Sequence, residues 1–227
     1  MGVEPIDIIV TTTNRIDYLK RTLNRIRRCT KSPYKLHIID DASSDGTTEY
    51  VISLFQQGVL ETITLHQEQQ GQMNNLMQES RIGASPVYVH VDDDMLCPNV
   101  EPDWLSQGIQ TIRKHKDLGI MALDHPGAKR VTKEDRGDVV VCQVVGGTFS
   151  FIRRKCSRQM STPHRHDLGT APQMTMCSWA RRLGYQVGYI KGVYCYHFGE
   201  NSVLTGGIYK GRPSILPTNW ETLRPTN

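Results

Sequence analysis

Three consecutive carboxylates, Asp92, Asp93 and Asp94, close the β-branched run Val87-Tyr-Val-His-Val91 and lead into Met95-Leu-Cys-Pro98. Adjacent like charges repel one another, and burying them unpaired is costly. They call for a positive partner. A divalent cation such as Mn2+ or Mg2+ answers best, because hard ions take oxygen ligands and are commonly shared with substrate phosphates. A solvated acidic turn leading into the next helix is the plainer alternative. Two other strand ends carry polar clusters: Thr11-Thr-Thr-Asn-Arg15 and Asp40-Asp-Ala-Ser-Ser-Asp-Gly-Thr47. Asp41 offers an acceptor to a ligand, while the Asp/Ser composition equally suits a tight turn. Further along stand the Gly146-Gly147 pair, a bulge or a close approach of backbone to ligand. The loop Ser161-Thr-Pro-His-Arg-His-Asp-Leu-Gly169 and His197 complete the set.

These groups need a scaffold that brings strand ends together. Ile6–Val10, Leu36–Ile39, Leu60–Leu65 and Val87–Val91 read as strands. Helical stripes separate them: Ile16, Leu19, Leu23 and Ile26; then Val51, Leu54 and Phe55; then Met73, Leu76 and Met77. The order β-α-β-α-β-α-β predicts an α/β fold with a largely parallel, right-handed wound sheet. Such sheets bind ligands at the carboxyl ends of their strands, where the polar clusters lie. A helix with Trp104, Leu105, Ile109 and Ile112 inward follows, then a strand at Leu118–Leu123. Residues 124–138 read as an exposed polar loop. Val139–Val145 and Thr148–Ile152 read as strands, and a helix turns Met176, Trp179, Ala180 and Leu183 inward. Gly184–Ile190 and Val193–His197 read as two short strands, before a Gly/Pro/Thr/Asn-rich tail.

Composition bounds the function. With 38% hydrophobic residues among 227, the chain is globular, yet no apolar run is long enough for a membrane span. The N-terminus shows no signal-peptide pattern. Six scattered cysteines without a Cys-x-x-Cys pair argue against a zinc site and fit reduced thiols in a cytoplasmic protein. The net charge of +4 suits an anionic ligand but is too small to imply nucleic acid by itself. Lys20, Arg21, Arg25, Arg27 and Arg28 read as a solvated helix face.

In this order and spacing, Thr11–Arg15, Asp40–Thr47, Gln70-Gly-Gln-Met-Asn-Asn75, Asp92–Pro98, Gly146–Arg154, the loop aspartate and Tyr196-His-Phe-Gly199 resemble a GT-A fold glycosyltransferase of the inverting family 2 type. The resemblance spans roughly residues 5–202. It implies one catalytic domain over 1–202, with a nucleotide-sugar half at about 1–98, an acceptor half at about 99–202, and a tail at 203–227. It implies a nucleoside-diphosphate sugar donor, with a UDP-sugar favoured. Thr11, Thr13, Arg15 and Asp41 would bind nucleotide. Asp93 matches the family's metal ligand, and Asp92 its ribose or water-mediated metal contact. Asp94 and His197 would complete the metal site, Gly146 and Gly147 would line the sugar pocket, and Asp167 would be the catalytic base. Two departures stand out: Val91 occupies the usual first aspartate of the metal motif, and His166 replaces the acidic neighbour of Asp167. The acceptor stays open among a saccharide, a small molecule and a hydroxylated base in DNA. For the DNA case Arg153, Arg154, Lys155, Arg158, Arg165, Arg181 and Arg182 would track the backbone. A nucleotidyltransferase and a non-catalytic sugar-nucleotide-binding module are the rival functions.

Overall fold

The structure, a computed structural model, describes residues 4–125, 131–160 and 172–198. Strand β1 (Ile6–Thr12) leads through helix α1 (Ile16–Cys29) to β2 (Tyr34–Asp40). Helix α2 (Thr47–Gln56), β3 (Thr62–Leu65) and α3 (Gln72–Glu79) follow, and β4 (Val87–Asp92) ends the first half. The second half runs β5 (Met95–Leu96), α4 (Trp104–Lys114), β6 (Leu118–Asp124), β7 (Thr132–Asp135), β8 (Val139–Cys142) and β9 (Phe149–Arg153). It closes with α5 (Arg154–Arg158), α6 (Pro172–Arg182), β10 (Gln186–Tyr194) and β11 (Tyr196–His197).

One sheet of order β3-β2-β1-β4-β9-β6-β10-β8-β7 carries the fold. The β3, β2, β1 and β4 strands are mutually parallel, as are β6 and β10. Strand β9 inserts antiparallel between β4 and β6, and β8 runs antiparallel beside β10. The sheet is therefore mixed and mostly parallel. Its two faces bury separate cores. One packs Leu19, Leu23, Ile26, Val51, Trp104 and Ile109 against Ile8, Val10 and Val89. The other packs Leu76, Met176, Trp179 and Ala180 against Ile9, Tyr88 and Ile152. Alternation along β1 and β4 sends successive side chains to opposite cores, so these strands are buried on both faces, as in sheets covered on both sides.

Several sequence expectations change. Phe55 and Leu183 are not inward: they are 44% and 37% exposed, each at the C-terminal end of its helical stripe, Leu183 one residue past α6. The segment 124–138 is not all loop, because β7 forms there as an exposed edge strand on β8. The strand expected over Val139–Val145 stops at Cys142. The two strands expected near the end are one continuous β10 through Gly192, whose φ of 78° lets the chain turn without a side-chain clash. A two-residue ribbon forms instead, β5 against β11, pairing His197 with Met95. Among the described residues no helix is long and apolar enough to cross a membrane. All six cysteines are buried, and none is in a disulfide.

Candidate active site

Parallel pairing places Thr11 beside Asp92 and Thr12 beside Asp40, so the polar clusters meet along one edge of the sheet. The β1 and β2 turns are pinned to each other. Ser44 N–H donates to Asn14 Oδ1 at 2.6 Å, Asn14 N–H to Ser43 Oγ at 2.8 Å, and Ile16 N–H to Asp45 Oδ2 at 3.1 Å. Asn14 takes a left-handed φ of 51°, a conformation its short amide tolerates.

The carboxylate cluster has a cation from the chain itself. Arg15 Nη1 lies 3.0 Å from Asp93 Oδ1 and 2.7 Å from Asp94 Oδ2. Its guanidinium also stacks 4.6 Å from the Tyr18 ring centroid, and Tyr18 in turn stacks on Phe198. Thr12 Oγ1 donates to Asp93 Oδ2 at 2.7 Å. The β5–β11 ribbon brings His197 Nε2 to 3.1 Å from Asp94 Oδ2, and Phe198 N–H donates to Asp94 O at 3.0 Å. Burial pushes the Asp93 carboxyl up to about 7, helped by Asp94 and opposed by Arg15 and Thr12. For Asp94, burial acts in the same sense, but His197 and Arg15 outweigh it and hold the group below the usual carboxylate range. Burial would lower His197, yet Asp94 raises it.

The donor chemistry of this cluster fits a divalent ion. Asp94 Oδ1 is buried and has no hydrogen-bond partner among the described residues, a carboxylate oxygen left over for a cation. Asp93, Asp94 and His197 offer the O, O and N donors that Mn2+ accepts. As they stand, with Arg15 on the inner oxygens, no three His, Cys, Asp or Glu side chains among the described residues form a group able to hold a metal ion.

Asp41 is committed to its own loop. His66 Nδ1 at 2.9 Å and Gln70 N–H at 2.7 Å meet Oδ1, and Gly71 N–H donates to Oδ2 at 2.9 Å. The Asn75 side chain adds a further bond. Burial raises the group, but these donors prevail and lower it. A carboxylate has about four acceptor sites, so contact with a nucleotide base would require one of these donors to give way. Asp92 N–H donates to Thr148 O at 2.9 Å, and Tyr189 Oη accepts from Gly146 N–H at 2.7 Å. The Gly146-Gly147 stretch thus runs beside Asp92. Asp167, with His164, Arg165 and His166, lies outside the described residues, as does the tail from 203.

The structure adds residues that sequence reasoning passed over: Thr12, Thr22, His66, Glu79 and His90. Thr22 Oγ1 is shared between Asp93 O at 2.6 Å and Met95 O at 3.1 Å. Thr12 sits between the two threonines singled out from sequence, and only the β1 pleat tells which of the three faces Asp93. The basic groups assigned to a DNA backbone are partly misassigned. Arg153 donates to the carbonyls of Leu118, Ile112 and His115. Arg154 is 4% exposed, donates to the carbonyls of Ser80, Ile82 and Ser85, and pairs with Asp7 at 2.8 Å. Arg158 donates to Ser80 O at 3.1 Å. The Arg153 and Arg154 guanidiniums are thus spent on backbone carbonyls, whereas Arg158, which also meets one, stays exposed.

Among known folds, the mannosyltransferase PcManGT of Pyrobaculum calidifontis, solved with GDP-Man and Mn2+, superposes with a TM-score of 0.65 at 19% identity, over 84% of this chain. S. aureus TarS 1–349 with UDP-GlcNAc gives 0.64 at 15% identity over 88%. GalNAc-T7 with UDP, GalNAc and Mn2+ gives 0.65 at 10% identity over 85%. The matches span 55%, 59% and 43% of those chains. At such identities they establish a shared GT-A fold. No curated protein sequence matches this one. The sequence model described as glycosyl transferase family 2 matches residues 7–183. That match takes in β1 through α6, and with it the Thr11–Arg15 turn, the Asp92–Asp94 cluster and the Gly-Gly stretch: the chain belongs to glycosyl transferase family 2.

Proposed function

We propose that this protein is a metal-dependent, inverting glycosyltransferase that uses a nucleoside-diphosphate sugar. The observation that carries the reading is the meeting of three strand-end turns around a buried carboxylate cluster with an unsatisfied oxygen on Asp94. A nucleotide occupies the edge above Thr11 and Thr13, beside Asp92, with Arg15 near its phosphates. Gly146 and Gly147 border the sugar. Asp93, Asp94 and His197 would hold the divalent ion, Mn2+ or Mg2+, once Arg15 gives way, and the ion would offset the negative charge of the departing diphosphate. The neighbours solved with GDP-Man or UDP together with Mn2+ support this class of ligand.

Asp167 is the base in this reading. Its carboxylate takes the proton of the acceptor hydroxyl as that oxygen bonds to the anomeric carbon. The bond from the anomeric carbon to the diphosphate oxygen breaks on the opposite face, and the nucleoside diphosphate leaves with the electron pair. One displacement inverts the configuration. A UDP-sugar is the favoured donor and the cytoplasm the favoured location, where six buried thiols stay reduced. A saccharide or small-molecule acceptor gains ground over DNA, because Arg153 and Arg154 are structural.

A thermal-shift panel of UDP, GDP, CDP, dTDP and their sugars, with and without Mn2+, tests the donor. A ligand that binds only the native state raises the melting temperature. A metal-dependent shift with one nucleotide is expected, and no shift with any of them removes the reading. Asp167→Asn should abolish transfer while leaving donor affinity unchanged, and unaltered turnover removes Asp167 as base.

A further inference from the structure

Behind the carboxylate cluster lies a second set of ionisable side chains that the transfer chemistry does not use. His90 Nδ1 is 2.6 Å from Glu79 Oε1, and His90 Nε2 is 3.0 Å from Asp92 Oδ1. Glu79 and His90 are 0% and 1% exposed, whereas the Asp92 side chain is 17% exposed and reaches the ligand edge. His90 and Asp92 are two apart on β4, so the pleat puts both on the same face of the sheet, the face that α3 covers. Glu79 Oε2 has no partner among the described residues. Replacing a buried ionic pair by apolar side chains is often neutral or stabilising, so this one is poorly explained by stability alone.

A second strand end is tied to α3 as well. Gly71 N–H, at the N-terminus of α3, donates to Asp41, and the left-handed φ of 80° that aims it there suits glycine. His66 bridges Asp41 to the α3 residue Gln78, with Nε2 3.1 Å from Gln78 Oε1. Gln78 and Glu79 are neighbours on α3. Each therefore reaches, through one histidine, a carboxylate at the end of a different strand.

We propose that α3 is the positioning element of the donor site, and that the Glu79–His90 arm fixes the Asp92 carboxylate in the orientation that binds the nucleotide sugar. Glu79 and His90 are positioning residues, since neither touches the ligand. The inference rests on the proposed donor reading, in which Asp92 faces the nucleotide. An imidazole held at both nitrogens cannot rotate, so the Asp92 oxygen it bonds is fixed before the ligand arrives. Binding then loses no affinity to ordering that side chain.

A double-mutant cycle tests this. UDP, GDP, CDP and dTDP affinities, with Mn2+ present, are measured by calorimetry for the wild type, and those of the nucleotides it binds for Glu79→Gln, Asp92→Asn and the double variant, with the melting temperature of each recorded. Glu79→Gln should weaken binding by about tenfold, as losing a group that orients a ligating side chain does, and should change nothing further in the Asp92→Asn background. Unchanged affinity in Glu79→Gln overturns the proposal. So does an equal loss in both backgrounds, which is the mark of a merely structural residue. If Glu79→Gln does not fold, His90→Gln in the same cycle is judged by the same criteria. A wild type that binds none of the four nucleotides overturns the donor reading itself and this inference with it, an outcome distinct from an insensitive Glu79→Gln in a binding wild type.

Discussion

At the residue scale, the decisive contact is that of Arg15 with Asp93 and Asp94. The need for a positive charge at the three aspartates was legible in the sequence, where Arg15 reads as a nucleotide contact and a metal ion as their partner. The pairing of Arg15 with the aspartates was not, because it joins positions far apart in sequence through the β1–β4 register and the course of the following turn. The arrangement predicts competition between guanidinium and metal. Arg15→Gln leaves two buried carboxylates without their internal counter-ion, which lowers the melting temperature in metal-free buffer at pH 8. Added Mn2+ should restore the variant by more degrees than it adds to the wild type, because the ion meets no resident cation there. Equal Mn2+ shifts in the two proteins would mean that the ion does not bind at Asp93 and Asp94.

A second residue-scale effect concerns Thr22, a fully buried hydroxyl that holds the backbone of the cluster. Thr22→Val preserves shape and removes the donor, leaving the carbonyls of Asp93 and Met95 short of a partner. The expected cost is about 1–3 kcal/mol. For a chain of this size that lowers the melting temperature by roughly 2–4 °C per kcal/mol. An unchanged melting temperature would show that water replaces the hydroxyl. In sequence, Thr22 is one polar residue on an amphipathic helix, with nothing to separate it from a solvated one.

Among the elements, long periodic segments were legible and short ones were not. The strands β1, β2, β4 and β6 and the helices α1 and α4 follow from apolar runs and 3.6-residue stripes that local chemistry imposes. The β5–β11 ribbon has two residues on each side, and α5 has five, too few for any period to show. Yet that ribbon carries His197 to Asp94. The insertion of β9 between β4 and β6 was equally hidden, since strand order depends on crossovers and not on local pattern. It creates a close approach that can be tested. Gly108 in α4 faces β9, and a methyl group there would come within 2.0 Å of the Phe151 ring, which is itself fully buried beside the tilted ring of Trp104. Gly108→Ala should therefore destabilise the fold by about 1–3 kcal/mol despite alanine's better helix propensity. Urea unfolding reads this as a lower midpoint at unchanged slope. A stabilised variant would mean that α4 shifts away from β9 freely.

For the molecule as a whole, the two edges of the sheet do different work. At the carboxyl edge, carboxylates are crowded and Asp94 Oδ1 has no partner among the described residues; at the opposite edge, the Asp7 carboxylate is held on both oxygens. There Asp7 accepts from Ser85 N–H at 2.8 Å and Ser85 Oγ at 2.7 Å, lies 3.1 Å from His37 Nε2, and pairs with Arg154 at 2.8 Å. The network ties β1, β2, the approach to β4 and the start of α5 together, which makes it a structural lock and leaves ligand chemistry to the other edge. Burial would raise the Asp7 carboxyl, but the bonds from His37 and Ser85 outweigh it and hold the group well below the usual carboxylate range. A carboxyl lowered in the folded state stabilises the fold fully above its unfolded value, near 4, and loses that contribution as pH falls toward the folded value. Asp7→Asn breaks the pair and leaves Arg154 buried without its carboxylate, a loss of about 3 kcal/mol at pH 7. The gap in melting temperature between variant and wild type should be widest at neutral pH and shrink steadily below about pH 4, as the carboxyl of the unfolded wild-type chain takes up its proton. Thermal unfolding of both proteins from pH 7 to pH 3 measures that gap. A gap that stays constant over the whole range would assign the loss to packing against Gly83, whose backbone leaves no room beyond the Asp7 carboxylate, and would deny the charge its role.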